Sequence, residues 1–245
     1  MNHNKQENLP LIVLGLGAAA CLVRGLLYLL AADNTGLLIR GHGLWWLLWV
    51  LFAAAAAAVS TVIPRKGSNR FEDNFGPSIL SAAGSLAMAV GILLTLLAGN
   101  TMPRPLLVYL WYISGILAAA GLVWSALCAK QGTAPNVLCC AVLCLFFALH
   151  MVSRYQPWSG QPQSQDWIFS LLGSVGLILC AYHRGAFSAG CGQRRSFLAT
   201  GLLTVFFCCA ALPHTDYFWL YLCGGIWAYT GLGRIVPVPE PAERS

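Results

Sequence analysis

The sequence predicts an all-α integral membrane protein with eight transmembrane helices, and three observations lead to that fold class. Of 245 residues, 58% are hydrophobic and only 9% are charged, against about 25% charged residues in a typical soluble chain. The apolar residues fall into eight runs near the roughly 20 residues that a spanning helix requires. Lys and Arg concentrate in the loops of one side. Since no polar segment is large enough for a core, a soluble catalytic or nucleic-acid-binding domain is excluded.

The first predicted span, residues 11 to 32, carries a charge inside its apolar run. Arg24 costs roughly 2.5–3.5 kcal/mol at the centre of a membrane helix, so it requires a partner or water. A cleaved signal peptide is the competing interpretation, and Ala18 to Cys21 resemble a lipoprotein cleavage site. The leucine expected three residues before the cysteine is Ala18, and the apolar run continues beyond Arg24. We therefore expect a retained helix.

Seven further spans follow, separated by loops in which proline, glycine and polar residues interrupt the apolar pattern. Trp45, Trp46 and Trp49 mark a membrane boundary at the start of the second span, because indoles favour the headgroup level. The most polar predicted loops are 64–77, 153–166 and 183–195. The predicted spans are about 43–63, 78–99, 106–128, 136–152, 167–182, 196–212 and 217–235.

The distribution of basic residues predicts the orientation. With a cytoplasmic N-terminus, ten Lys and Arg residues lie on the inner side and three on the outer side. Both termini are therefore expected to be cytoplasmic, in the cell membrane. The inner residues are Lys5, Arg65, Lys66, Arg70, Lys130, Arg184, Arg194, Arg195, Arg234 and Arg244, and the outer ones Arg40, Arg104 and Arg154.

An internal repeat is one interpretation of the second half of the chain. A shift of 110 residues aligns 110–122 with 220–232 and gives six identical pairs. Chance matches are common in helices rich in Gly, Ala and Leu, so duplication and coincidence both stay open. Duplication predicts two parallel four-helix halves. The predicted units are a cytoplasmic tail (1–10), a first half (11–129), a second half (130–235) and a second cytoplasmic tail (236–245).

The cysteines and histidines predict neither disulfides nor a metal site. Nine of the ten cysteines lie in apolar runs, and Cys191 lies in a basic loop expected on the cytoplasmic side, where disulfides are rare. Imidazoles and carboxylates gather near the outer side, but their spacing matches no zinc signature. Those residues are His42, His150, His214, Asp33, Asp166 and Asp216. We expect no metal and no cofactor.

Two sets of residues are candidates for binding. The first, Arg24, Tyr28, His150 and Asp216, would hold an anionic group in an outward-facing cavity, because intramembrane charges are usually functional. The alternative is an arginine that bonds backbone carbonyls and fixes helix packing. The second set would hold anionic lipid headgroups, although topology alone already requires these basic residues. It comprises Arg65, Lys66, Arg70, Arg184, Arg194 and Arg195.

These features favour a small permease, or a membrane substrate-binding component, for a small ligand with an anionic group. The alternative is a non-catalytic accessory or scaffold subunit of a membrane complex, since small-residue helix faces suit partner helices. The expected partners are the lipid bilayer, other membrane subunits and a small-molecule ligand, but no nucleic acid. An intramembrane enzyme would need paired catalytic groups within one leaflet, and only the outer His and Asp residues offer them, at scattered spacing, so an enzyme is not expected. The chain also has no P-loop, no G-x-G-x-x-G after a strand and no G-x-S-x-G elbow.

Overall fold

The computed structural model of the chain describes residues 3–32, 38, 43–62, 69–99, 104–158, 167–213 and 215–233. Among the described helices, seven are apolar and long enough to cross a bilayer, so the chain is a multi-pass membrane protein. The helices are α1 (His3–Ala31), α2 (Gly43–Val62), α3 (Phe71–Asn74), α4 (Ile79–Ala98), α5 (Pro105–Gln131), α6 (Val137–Trp158), α7 (Ile168–Ser188), α8 (Arg194–Ala211) and α9 (Phe218–Leu232).

The predicted helical membrane fold is confirmed, whereas the count of eight spans is not. A helix occupies each predicted span, but α9 has 15 residues. At 1.5 Å per residue it extends about 22 Å, less than the roughly 30 Å of a bilayer core. The prediction of eight spans therefore exceeds the seven helices that meet the length requirement within the described ranges.

Three segments expected to be loops contain helix. α6 continues through Trp158 and α7 through Ser188, and α3 lies within the loop predicted at 64–77. The prediction of loops in these segments was wrong because hydropathy indicates where a chain enters lipid. The end of a helix depends instead on its backbone hydrogen bonds. Arg184 and Arg154 accordingly lie on helices rather than in loops.

The described helices form one bundle. The helices α4, α5, α6, α7 and α9 form a closed series of neighbours, in which each packs against the next and α9 packs against α4. α8 packs against α7 and α9 and connects this series to the α1–α2 pair. Since α4 contacts α9 and α1 contacts α8, helices of the two predicted halves interleave. The division into halves stays a prediction.

Close approach of α4 and α9 depends on glycine. A Cβ on Gly84 would collide with the side chain of Thr230, and one on Gly91 would lie 2.6 Å from the Cβ of Cys223. Such small-residue contacts bring two backbones together, and van der Waals packing then drives helix association in lipid. The α4–α9 contact is thus a fixed part of the bundle.

The aligned segments 110–122 and 220–232 show similar burial. Gly115, Ala118, Gly121 and Leu122 are buried, as are their counterparts at 225, 228, 231 and 232. Leu110 differs, because it is exposed while Leu220 is buried. Small residues pack inward on many membrane helices, so this agreement does not require duplication. The repeat stays a prediction.

The two ends of the bundle are chemically different. At the Arg184 end, the start of α4 meets the end of α5, and Ser78 donates its backbone N–H to Ala129 O at 2.9 Å. At the opposite end, named here the Arg154 end, the Tyr217 hydroxyl donates to Gly99 O at 2.8 Å. The prediction that the Arg184 end is cytoplasmic follows only from the basic residues.

Candidate functional site

A cleft opens at the Arg184 end, where α4, α5, α6, α7 and α9 converge. Its empty volume, including the open mouth, is about 550 Å³. Polar and aromatic side chains share its wall, and among them are Phe71, Ser81, Ser125, Cys140, Arg184 and Trp227. A concave site with a few polar groups in an apolar lining is the usual form of a small-molecule site.

α9 holds the guanidinium of Arg184 at this cleft. Its Nη2 donates to the backbone carbonyl of Trp227 at 3.0 Å, and its Cζ lies 4.0 Å from the centre of the Trp227 ring. A Cβ on Gly231 would collide with the Arg184 guanidinium. The absence of a side chain at Gly231 therefore makes room for the cation beside α9.

Two polar groups of the cleft lining have no hydrogen-bond partner among the described residues. The Ser81 hydroxyl makes no hydrogen bond, although the neighbouring Ser85 donates to Ser81 O at 3.0 Å. Trp227 is only 1% exposed, and its buried Nε1 has no partner. The Ser81 hydroxyl is thus available to a molecule in the cleft, whereas Trp227 Nε1 is enclosed by the protein.

The α3 segment covers one side of the cleft. The rings of Phe71 and Phe75 stack with centres 4.7 Å apart. Phe75 packs edge-on against Phe187 at 5.0 Å and against Phe197 at 5.4 Å. This aromatic cluster fixes the polar 69–78 segment against α7 and α8, so the segment becomes part of the cleft wall.

The basic residues predicted to bind lipid headgroups have different surroundings. Arg194 is 9% exposed, and its Nη1 donates to Asn74 Oδ1 at 3.4 Å. Arg70 and Arg195 are exposed, and Arg184 lines the cleft. Exposed basic residues at a bundle end fit the lipid hypothesis better than Arg194, whose guanidinium bonds within the protein.

Arg24 is fully buried, with no exposed surface. Its Nη1 donates to the backbone carbonyl of Ala210 at 2.7 Å. Its Cζ lies 5.6 Å from the ring centre of Tyr28 and 5.4 Å from that of Phe169. The structure thus brings the predicted pair Arg24 and Tyr28 together, at the contact of α1 with α7 and α8 and apart from the cleft lining.

His150 lies on the α6 side of the bundle, among aromatic rings. It is 1% exposed, and its ring centre lies 4.8 Å from that of Tyr217 and 6.3 Å from that of Trp111. Neither ring nitrogen has a hydrogen-bond partner among the described residues. The predicted ligand role of His150 stays a prediction.

Asp216 is connected to His150 only through Arg154 and Tyr217 among the contacts of the described residues. Its carboxylate forms an ion pair of 3.1 Å with Arg154, whose guanidinium lies 3.9 Å from the centre of the Tyr217 ring. The Asp216 side chain is 71% exposed, so this pair is largely solvated. The predicted ligand set therefore separates into Arg24 with Tyr28 and His150 with Asp216.

Several predicted site residues lie outside the described residues. Within the described part of the chain, no group of three or more His, Cys, Asp or Glu side chains is placed to hold a metal ion. The residues outside it are His42, His214, Asp33, Asp166, Arg65 and Lys66.

The sequence predicts a binding role for Arg184, in a loop, but not the cleft around it. It indicates no role for Ser81, Ser125 or Trp227. A partial signal was present, because Ser81 and Ser125 lie near the same predicted end of their spans as Arg184. Their convergence depends on which helices are neighbours, which periodicity does not reveal.

No protein-family model, curated protein or solved structure matches this chain.

Proposed function

We propose that the protein is a membrane substrate-binding component or small permease for a small anionic ligand, and that the cleft around Arg184 is its binding site. One observation carries the proposal: α9 holds a guanidinium at the wall of a cleft that the Ser81 side chain also lines. This site replaces Arg24 as the preferred position for the anion, because Arg24 is enclosed by helices and bonded to Ala210.

The chemistry of the cleft favours an anion for two reasons. A cation beside the apolar walls of a cleft attracts negative charge more strongly than it does in bulk water. A guanidinium also presents its donors in a planar fork that matches carboxylate and phosphate oxygens. The neutral hydroxyl of Ser81 would add a hydrogen bond without adding charge.

Ligand-induced thermal stabilisation of the full chain in nanodiscs tests this function. We expect at least one member of a panel of small anions at constant ionic strength to raise the unfolding temperature. Arg184→Gln should abolish the shift, whereas Arg195→Gln should keep it, because Arg195 is exposed and does not line the cleft. Uptake of the same anion into proteoliposomes would then separate a permease from a binding component. Equal shifts in the two variants would contradict the proposal.

A second candidate, an accessory subunit of a membrane complex, is favoured by one surface of α2. In the second half of α2 the exposed positions carry small side chains, namely Ala53, Ala54, Ala57, Ser60 and Thr61. Surfaces of this kind suit a partner helix better than lipid. Purification in mild detergent tests it: a partner retained by the native chain and lost from Ala57→Leu would support it, whereas recovery of this chain alone would count against it.

The proposal also covers activity, location and orientation. The protein is proposed to be non-enzymatic and to lie in the cell membrane with both termini in the cytoplasm. The basic loops support the orientation, and the cleft then opens toward the cytoplasm.

A further inference from the structure

We propose further that a groove between α1, α8 and α9 holds an acyl chain of a bilayer phospholipid. The groove opens where these three helices meet and has a free volume of about 140 Å³. Its lining includes Leu14 of α1, Cys209 of α8, and Leu222 and Ile226 of α9. None of its lining residues lines the Arg184 cleft, so the groove is a second site of the molecule.

Glycines hold both walls of the groove against its floor, α8. A Cβ on Gly17 of α1 would lie 3.1 Å from the Cβ of Cys209, and one on Gly225 of α9 would lie 3.3 Å from the Cβ of Cys208. Both helices therefore approach the α8 backbone closely. The groove is the space that remains between the side chains of these two wall helices, so it belongs to the packed part of the bundle.

The surface of the groove is apolar. No polar atom of the described residues is exposed in it, and the hydroxyl of Tyr221 instead donates to Ser170 O at 3.0 Å. A buried water requires two to four polar partners, so water is not a stable occupant. In another protein an apolar cavity of about 150 Å³ stays dry and binds benzene. The groove therefore has room for an apolar segment of about six carbons.

The position of the groove indicates its occupant. α1 and α8 are among the helices that can cross a bilayer, and Ile226 at the groove is 41% exposed. The opening therefore faces the hydrocarbon core, where acyl chains are the surrounding solvent. A helix with its side chains is about 10–12 Å wide, which is too broad to enter a space of this size. A flexible acyl chain is narrow enough.

Van der Waals contact supplies the affinity for the chain. The hydrophobic effect does not drive association within lipid, so packing decides which surfaces hold a neighbour. A concave groove contacts an acyl chain on several sides, whereas the outer face of a single helix contacts it on one. An empty groove would forfeit these contacts altogether. We therefore expect a chain to occupy the groove more fully than it occupies the exposed face of α5.

Photochemical labelling tests the inference on the full chain, with one copy in each phosphatidylcholine nanodisc. A trace of phosphatidylcholine carries a diazirine in the middle of one acyl chain, and mass spectrometry maps the adducts after illumination. We expect severalfold more adduct on Leu14, Leu222 and Ile226 than on Ile113 and Ile116, which are exposed on α5. Replacement of the phosphatidylcholine by phosphatidylglycerol should leave this ratio unchanged, because no described lining residue is charged.

Variants that fill the space assign the adducts to the groove. Leu222→Trp and Leu14→Trp enlarge side chains on opposite walls, and each should remove most of the groove adducts. Leu117→Trp, on the exposed face of α5, is the matched control and should keep them. Adducts on Ile113 and Ile116 that match those of the native chain report that a variant is folded. Because the two walls belong to different helices, either folded variant is sufficient for the test.

Three results would overturn the inference. Labelling of the groove that is equal to or weaker than that of α5 would mean that lipid contacts it only as it contacts any exposed face. Groove adducts that persist in a folded tryptophan variant would place the acyl chain elsewhere. Groove adducts that disappear in nanodiscs with two copies would assign the groove to a second copy of this chain.

The test is independent of the proposed function. The groove and the cleft share α9 but no lining residue, so Arg184→Gln should leave the groove adducts unchanged. Failure of the acyl-chain site would leave anion binding at the cleft intact, and failure of anion binding would leave the acyl-chain site intact.

Discussion

Arg24 donates a hydrogen bond from Nη1 to the backbone carbonyl of Ala210 at 2.7 Å. Ala210 lies in the last turn of α8, which ends at Ala211. The last four carbonyls of a helix have no partner within that helix, and a cation near this end also interacts favourably with the helix dipole. Arg24 of α1 thus caps the C-terminal end of α8, which gives an intramembrane charge a structural role.

Removal of this cap should destabilise the protein. We expect Arg24→Gln to lower the free energy of unfolding by about 1.5–3 kcal/mol, the usual contribution of a hydrogen bond to a charged group. Arg24→Lys should lower it less, because the charge remains near the helix end. Thermal unfolding in detergent measures both. Arg195→Gln is the control, since exposed substitutions usually change stability by less than about 0.5 kcal/mol. Unchanged stability of Arg24→Gln would contradict the capping role.

Replacement of His150 by phenylalanine should stabilise the protein. His150 packs among Trp111, Phe146 and Tyr217, and neither ring nitrogen is paired within the described residues. An apolar ring of similar shape removes two unpaired polar atoms, whose burial costs about 1–3 kcal/mol. A gain of 1 kcal/mol corresponds to about 2–4 °C in a chain of this size.

The control for this prediction is His183→Phe. His183 is only partly buried, so its replacement should change the unfolding temperature little. A lower unfolding temperature for His150→Phe would mean that the imidazole nitrogens have a stabilising partner.

The local properties of this fold were predictable from sequence, and its long-range contacts were not. Hydropathy located a helix at each apolar run, because a run of about 20 apolar residues is by itself enough to cross the bilayer core as a helix. It did not distinguish Arg194 from Arg195, although one bonds Asn74 on another segment and the other is exposed. That difference depends on how α3 packs against α8.

The candidate site shows the same limit. Arg184 and Trp227 are separated by 43 positions in sequence, and no periodic pattern indicates that they touch. The spacing of Phe71 and Phe75, four residues apart in a polar segment, was a signal for buried structure there. It became interpretable only once their contacts with α7 and α8 were known.

Alanine at Gly84 should loosen the contact between α4 and α9. Its Cβ would collide with Thr230, and overpacking of this kind costs about 1–3 kcal/mol. Gly25→Ala is the matched control, because a Cβ there meets nothing within 4 Å, and the higher helix propensity of alanine favours a small gain. Thermal unfolding of both variants checks this.

A second substitution identifies the clash as the cause. Thr230→Ala removes the hydroxyl and methyl groups that the new Cβ would meet, so the double variant should recover part of the stability lost in Gly84→Ala. Equal stability of Gly84→Ala and Gly25→Ala would show that α4 and α9 are not in close contact.

Thiol labelling should establish the orientation of the cleft. Cys191 is exposed in the turn between α7 and α8, at the Arg184 end, whereas the other cysteines lie within helices. A membrane-impermeant maleimide should therefore label the native chain in inverted membrane vesicles but not in intact cells, and Cys191→Ser should lose the label. The reason is the positive-inside distribution of basic residues, which places this turn in the cytoplasm. Labelling in intact cells would reverse the orientation, and the cleft at the same end would then take its ligand from outside the cell.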